Sequence, residues 1–446
     1  MVSLSPLSLH LLLFFHFTLT NLCTSQNTTT EYLKLPLLHK TPLPSPSQAL
    51  SSDTHRLSFL HHHHHLNSPI VSGAPSGSGQ YFVSLLLGTP PQPLLLIADT
   101  GSDLIWAKCS TSSNHNHQNL NPIFYPRFSS SFKPHHCYHS SCKLVPNPPH
   151  SHCNHTTPLH TPCHYLYSYA DNSSTSGFFS TETASFNTTT QKTTSSLSFG
   201  CGFWFSGTSF NGAQGVMGLG RGPISFSSQL GRRFGNKFSY CLMDYTISPP
   251  PTSYLTVGGS QNDDVVLSKM KFTPLQFNPL IQSFYYIGIK SISVNNAKLR
   301  IHPSVWSIDK YGNGGTIIDS GTTLTFLAEQ AYRQVIAAVK KRVRKIEIPS
   351  PTQDFELCVN ASKLSSRSRP TLPRLSFELV GKSVLSPPPT NYFIQTAEQV
   401  MCLAIQPVNS ENGFSVLGNL MQQGFLFEFD RDRSRLGFSR HGCALP

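Results

Sequence analysis

The sequence predicts an all-β protein built as two related lobes. Three observations carry this expectation: few charged residues beside many β-branched and aromatic ones, a scarcity of helical periodicity, and an order of elements that repeats in the two halves. Charged residues make up 12% of the 446-residue chain and hydrophobic residues 38%, with 34 Pro and abundant Ser and Thr. Such a composition favours sheets over helices. The length allows a sizeable core and two lobes beyond any removed leader.

The chain opens on an apolar run, Leu7 to Leu19, broken only by His10, His16, Ser8 and Thr18. It is too short for a membrane span and gives way to polar Thr24, Ser25 and Gln26, so residues 1–25 read as a secretion signal, although no Lys or Arg precedes the run. No later run approaches membrane length, and Gly442 to Pro446 form no hydrophobic anchor tail. Residues 26–78 are Pro- and Ser-rich, contain the run His61 to His65, and end in the loose Gly73 to Ser78 stretch. They read as a prosegment or flexible leader rather than core, with maturation between Ser68 and Gln80. The histidine run admits metal binding or acid sensing, and a tolerated low-complexity insertion is the preferred reading.

Eleven cysteines suit an exported chain. Cys23 lies in the presumed cleavage zone, and the remaining ten suit five disulfides in an oxidising compartment. Asn-x-Ser/Thr sites at Asn27, Asn154, Asn172, Asn187 and Asn360 agree with a glycosylating route. The formal net charge of +12 would attract acidic polysaccharide or nucleic acid. The densest basic cluster, Lys340 to Lys345, reads as the solvated face of a surface helix, and nothing resembles a nucleic-acid module.

Ordered strands are expected from Gln80 onward: Tyr81 to Leu87, a Gly88-Thr89-Pro90-Pro91 turn, then Leu94 to Ala98 running into Asp99-Thr100-Gly101-Ser102. The pattern returns at Phe284 to Ile289, Ile292 to Val294, and Gly315 to Ile318 running into Asp319-Ser320-Gly321-Thr322-Thr323. Each Asp-Thr/Ser-Gly is followed downstream by an apolar pair and glycine, Val216-Met217-Gly218 and then Val416-Leu417-Gly418. The period is far too long for a solenoid and indicates two homologous lobes, the second starting near residue 260 after Pro249-Pro250-Pro251. One helix stands out, Ala328 to Arg344, with Ala331, Val335, Val339 and Val343 at helical spacing.

An Asp at the end of a buried strand is presented at the lobe interface, where desolvation is strong. Gly101 and Gly321 let the two loops approach closely. Thr100 and Ser320 can hold the loops by hydrogen bonds, and Ser102 or Thr322 can orient the carboxylates. Two carboxyl groups forced within hydrogen-bond reach share one proton over an acidic range. The ionised member can then take a proton from a bridging water while the protonated one polarises a carbonyl.

With these residues in place the chain resembles the pepsin family of aspartic proteases, in particular its plant nepenthesin-like branch. The resemblance runs from Gln80 to Pro446 and is clearest at Asp99-Thr100-Gly101-Ser102-Asp103-Leu104-Ile105-Trp106 and at Ile317-Ile318-Asp319-Ser320-Gly321-Thr322-Thr323. It implies a bilobal all-β acid-protease fold with an extended cleft, an N-terminal lobe over 79–259 and a C-terminal lobe over 260–446. Asp99 and Asp319 would be the catalytic pair, supported by Thr100, Gly101, Ser102, Ser320, Gly321 and Thr322. It also implies a flap hairpin over Tyr165 to Phe179, with Tyr169 as flap tyrosine and the Trp106 indole N–H meeting its phenol oxygen. Tyr165 and Tyr167 share its spacing and leave the register open. The tip departs from the family pattern, because Ala170 and Asn172 stand where relatives have glycine.

The segment 109–163 resembles the branch's cysteine-rich insert. By that resemblance Cys137 pairs with Cys163, Cys142 with Cys153, Cys109 with Cys201, Cys241 with Cys443, and Cys358 with Cys402. A zinc site among Cys137, Cys142, Cys153 and nearby histidines is the minor alternative. The expectation is therefore a monomeric, exported endopeptidase, extracellular, in the cell wall or alternatively vacuolar. It acts on polypeptides, needs no metal or other cofactor, and associates weakly with acidic polysaccharide. The rival is a catalytically silent pepsin-fold binding protein of the xylanase-inhibitor kind.

Overall fold

Each apolar alternation in the sequence finds a paired neighbour, and the result is a two-lobed, mostly β architecture. The computed structural model describes residues 32–39, parts of 45–53 and most of 79–443. Residues 1–31, 40–44, 51–52, 54–78, 111–122, 147–152, 154–155, 170–172, 188–191, 208–212, 245–251, 259–267, 365–370, 409–412, 444–446 and a few single positions lie outside the described residues. The expected signal segment, the His61 to His65 run, the sequons at Asn27, Asn154 and Asn172, and hairpin-tip residue Ala170 therefore fall outside them. Among the described residues no helix is long and apolar enough to cross a membrane.

The repeat visible in the sequence is a repeat of topology. In the first lobe Tyr81–Leu87 pairs antiparallel with Gln92–Asp99, which runs parallel to Gly215–Gly218 with Asp99 opposite Gly218. In the second lobe Thr316–Ile318 runs parallel to Ser415–Leu417. The strand after each aspartate loop, Ile105–Lys108 or Thr325–Ala328, then lies antiparallel to that same partner. The apolar pairs Val216-Met217 and Val416-Leu417 are fully buried. Each ends in glycine for a steric reason: a Cβ on Gly218 would collide with the Asp103 backbone, and one on Gly418 with the Leu324 carbonyl.

A continuous antiparallel ribbon ties the lobes together. Lys237–Cys241 pairs with Leu426–Asp430, which pairs with Arg435–Ser439, which in turn pairs with Lys271–Gln276. On the other side Lys237–Cys241 pairs with Ser253–Val257. The next strand is a correction to the sequence reading, for ordered structure begins at Leu33 and not at Gln80. Leu33–His39 lies between Ser253–Val257 and Tyr81–Leu87, with Leu33, Leu35 and Leu37 buried in the main core. The alternation of these leucines with Lys34, Pro36 and Leu38 is a plain strand signal, masked in the sequence by Pro36 and the polar surroundings.

The expected helix spans Glu329–Val343 and buries Ala331, Val335, Val339 and Val343. Its last turn carries Lys340, Lys341 and Arg342, where cations complement the helix dipole. A second helix, Phe226–Phe234, packs under the first lobe. Its Ser225 cap accepts the Ser228 N–H at 3.2 Å.

Candidate active site

The two aspartate loops meet across the lobe boundary through their hydroxyl residues. The Ser320 N–H donates to Thr100 Oγ1 at 2.9 Å, and the Thr100 N–H donates to Ser320 Oγ at 3.1 Å. Each hydroxyl then donates onward to the strand preceding the other aspartate, Ser320 to the Ala98 carbonyl at 2.9 Å and Thr100 to the Ile318 carbonyl at 3.4 Å. This crossed arrangement is nearly two-fold, as a duplicated lobe requires. It leaves Asp99 and Asp319 at the ends of facing strands, both with no exposed surface.

The glycines act through their amides. Gly101 N–H donates to Asp99 Oδ1 at 3.1 Å and Gly321 N–H to Asp319 Oδ1 at 3.0 Å, which fixes each carboxylate plane. Thr322 Oγ1 donates to Asp319 Oδ2 at 2.7 Å, and Thr100 Oγ1 lies 3.4 Å from Asp319 Oδ1. The counterpart of Thr322, Ser102, is equally buried, but its hydroxyl reaches no partner among the described residues. Of the two side chains expected to orient carboxylates, Thr322 does so and Ser102 does not.

The expected hairpin is formed by His164–Ser168 and Ser174–Asn187, with Tyr165 opposite Gly177 and Tyr167 opposite Thr175. The Tyr169 N–H donates to the Ser173 carbonyl at 2.7 Å and closes the tip. Trp106 and Tyr169 meet as tilted rings 6.3 Å apart, in place of the expected indole-to-phenol hydrogen bond. The reason is packing. Tyr167 stands edge-on to Tyr169 at 5.3 Å, and Trp106, Tyr165, Tyr167 and Tyr169 are all fully buried in one cluster that sets the ring directions. Burial, followed by the charge fields of Tyr169, Asp103 and Asp99, holds the Tyr167 phenol well above its ordinary pKa. Tyr167 thus shares the electrostatic environment of Asp99.

Two family models match the chain, one described as xylanase inhibitor N-terminal over residues 81–259 and one as xylanase inhibitor C-terminal over 284–440. Aspartyl protease family protein 2 of Arabidopsis thaliana is 37% identical over 380 residues, covering 85% of this chain and 74% of that protein. Aspartic proteinase nepenthesin-1 of Nepenthes gracilis is 34% identical over 381 residues, covering 85% and 82%. The chain belongs to the pepsin-like aspartic protease family. Among solved structures, edgp superposes with a TM-score of 0.68 at 22% identity, covering 92% of this chain and 95% of that one. Soybean basic 7S globulin superposes at 0.66 and 19%, covering 92% and 96%. At such identities the likeness speaks for the fold alone.

Around the pepsin-like core lie supporting residues that sequence reasoning passed over. Gln422 Nε2 donates to the Asp319 carbonyl at 3.1 Å and the Leu417 carbonyl at 2.9 Å, while its Oε1 accepts the Tyr240 hydroxyl at 2.5 Å. Asn419 Nδ2 donates to the Ser320 carbonyl at 3.0 Å. Both are fully buried directly after Gly418, where polar residues had no visible periodicity to mark them as interior. In the first lobe Asp103 does comparable work. Its Oδ1 accepts the Gly222 N–H at 2.8 Å, and its Oδ2 accepts the hydroxyl of Ser283, from the second lobe, at 2.5 Å. Burial dominates its electrostatics and raises its pKa, against the lowering effects of Ser283, Gly222 and Arg431. The fourth such residue comes from the segment read as leader: buried Asp53 accepts the Thr323 N–H at 3.1 Å and the Leu324 N–H at 2.5 Å, immediately beyond the Asp319 loop.

In the cysteine-rich insert two pairings are exchanged relative to expectation. Cys142 is joined to Cys163 and Cys137 to Cys153, in place of Cys142 with Cys153 and Cys137 with Cys163. Burial sorts them, since Cys142 and Cys163 are interior beneath the hairpin whereas Cys137 and Cys153 are half-exposed. Cys109 is joined to Cys201, Cys241 to Cys443 and Cys358 to Cys402. Among the described residues no cluster of His, Cys, Asp or Glu has the geometry of a metal site.

Proposed function

We propose that the chain is a secreted aspartic endopeptidase that hydrolyses peptide bonds with a water molecule activated between Asp99 and Asp319, working best at acid pH. The observation that carries the reading is the crossed bonding of Thr100 and Ser320, which draws two buried carboxylate loops together. The mechanism proposed runs on the form of the pair that carries one proton. The ionised member accepts a proton from water as the oxygen attacks the scissile carbonyl. The protonated member donates to the carbonyl oxygen, and a tetrahedral diol forms without a covalent enzyme intermediate. Gly101, Gly321 and Thr322 hold the carboxylates in plane during both transfers, so little reorganisation is needed.

Tyr169, with Trp106 beneath it, is the flap residue that excludes water over the scissile bond. Residues 1–25 are a signal, 26–78 a leader cleaved on maturation, and Asn187 and Asn360 are candidate glycan sites together with the three sequons outside the described residues. The matched models, both described as xylanase inhibitor, favour a second reading: a catalytically silent pepsin-fold protein that binds a partner enzyme. Matured protein incubated with denatured globin at acid pH separates the two. Pepstatin-sensitive cleavage, abolished by Asp99→Asn, supports the protease; no cleavage at any pH by correctly matured protein leaves the binding reading.

A further inference from the structure

A cavity of about 850 Å³ opens where the Phe226–Phe234 helix of the first lobe meets the turn that follows the Leu426–Asp430 strand of the second. Arg221, Arg431, Asp432, Asn236 and Ser196 line it, and none of Asp99, Asp319, Trp106 and Tyr169 does. The two arginines carry the argument. Arg431 Nη2 donates to the Arg221 carbonyl at 2.9 Å and its Nη1 to Ser227 Oγ at 3.3 Å, both neutral acceptors. The Arg221 guanidinium takes no hydrogen bond or ion pair among the described residues.

The carboxylates nearby are already engaged. Asp430 is held by Arg433 and Arg435 at 3.0 Å each, Asp432 accepts Asn236 Nδ2 at 2.6 Å, and Asp103 accepts Gly222 and Ser283. Both half-buried guanidinium groups line the one cavity, that of Arg431 on neutral acceptors within the field of Asp103 and that of Arg221 on no hydrogen-bond acceptor among the described residues. An anion entering the cavity therefore gains the unpaired charge of Arg221. The same cavity is lined by acceptors, Asp432 and Asn236 Oδ1. A bare sulfate or phosphate would fill little of the cavity and would face Asp432 with like charge. A ligand carrying one carboxylate and several hydroxyls satisfies both kinds of group, its carboxylate on the arginines and its hydroxyls donating to Asp432 and Asn236.

The geometry points to this lobe-junction cavity as a binding site for an acidic carbohydrate, a uronic-acid residue being the unit that fits. The inference is independent of proteolysis at Asp99 and Asp319. It is tested by calorimetric titration of the full secreted chain with D-galacturonate, neutral D-galactose and sodium sulfate at matched ionic strength. Saturable binding of galacturonate is expected, with galactose and sulfate each at least about tenfold weaker. Arg221→Gln, which breaks no side-chain hydrogen bond or ion pair among the described residues, weakens galacturonate binding by at least about tenfold, and Arg221→Lys retains part of it. Trigalacturonate in parallel distinguishes the source: tighter binding than the monomer indicates a polysaccharide, weaker binding a free sugar acid, and either supports the site. Undiminished galacturonate binding by Arg221→Gln, sulfate binding equal to galacturonate, or no saturable binding overturns it.

Discussion

Asp103 offers the most demanding test of how the first lobe is held to the second. Its carboxylate accepts one N–H from Gly222 at 2.8 Å and one hydroxyl from Ser283 at 2.5 Å, the latter across the lobe boundary. Asp103→Ala removes both bonds and strands the two donors, and at about 1–2 kcal/mol each the expected destabilisation is about 2–4 kcal/mol. Asp103→Asn keeps the shape and one acceptor, and it isolates the charge. Because burial raises the folded-state pKa of Asp103, the native protein holds a proton that the unfolded chain releases once pH exceeds the ordinary carboxylate value. Native protons then outnumber unfolded ones, so this group makes stability fall as pH rises from about 4 through the raised value, and level off beyond it. Asp103→Asn abolishes that fall. Urea unfolding of wild type and both variants, followed by fluorescence across acid to neutral pH, reads this directly. The deficit of Asp103→Asn relative to wild type should shrink as pH rises. A deficit that grows with pH, or an Asp103→Ala protein within about 0.5 kcal/mol of wild type throughout, refutes the reasoning.

Further outcomes follow from single contacts. Thr100→Val removes a buried acceptor of the Ser320 N–H while keeping the shape, and is expected to lose about 1–3 kcal/mol of stability by chemical denaturation and most turnover on a peptide substrate. Gly418→Ala drives a Cβ against the Leu324 carbonyl and should lower stability by about 1–3 kcal/mol, measurable in the same way. His135 is stacked on His139 at 4.4 Å, and its pKa is pushed down to about 4, first by burial and then by His139 and His136. The unfolded chain therefore takes up this proton first, so His135 makes stability fall as pH drops from about 6.5 toward 4. His135→Gln should flatten that part of the acid limb in a pH series of melting curves.

The parts of the fold that were legible share one property: their signal is local. Leu94 to Ala98 running into Asp99, and Gly315 to Ile318 running into Asp319, show strand, loop and carboxylate within a few residues, and the apolar pairs before Gly418 and Gly218 make the second copy recognisable. The supporting residues lack that property. Gln422 and Asn419 are polar groups whose partners, the Asp319 and Ser320 carbonyls, lie about a hundred positions away, so burial rather than sequence defines their role. The insert's pairing depended on which two of four cysteines face inward, a matter of three-dimensional burial. Leu33, Leu35 and Leu37 are the instructive case, because their alternation was present but was outweighed by Pro36 and by the low-complexity residues around them.

The segment before residue 79 is fastened by two means of opposite chemistry. Leu33–His39 is held by five backbone register pairs to Ser253–Val257 and three to Tyr81–Leu87, an attachment of amides and leucines that acid leaves untouched. Asp53 is held by its carboxylate to the Thr323 and Leu324 amides, an attachment that protonation weakens. Severing the chain between these anchors and residue 79 does not by itself release the piece. The Asp53 contact is the ionic end of the fastening, beside the Asp319 loop, and the strand is its apolar end, continuous with the ribbon joining the lobes. On the proposed maturation, a cut before residue 79 thus leaves the leader still bound, and the backbone pairs of its strand are the attachment that has to be undone before it departs.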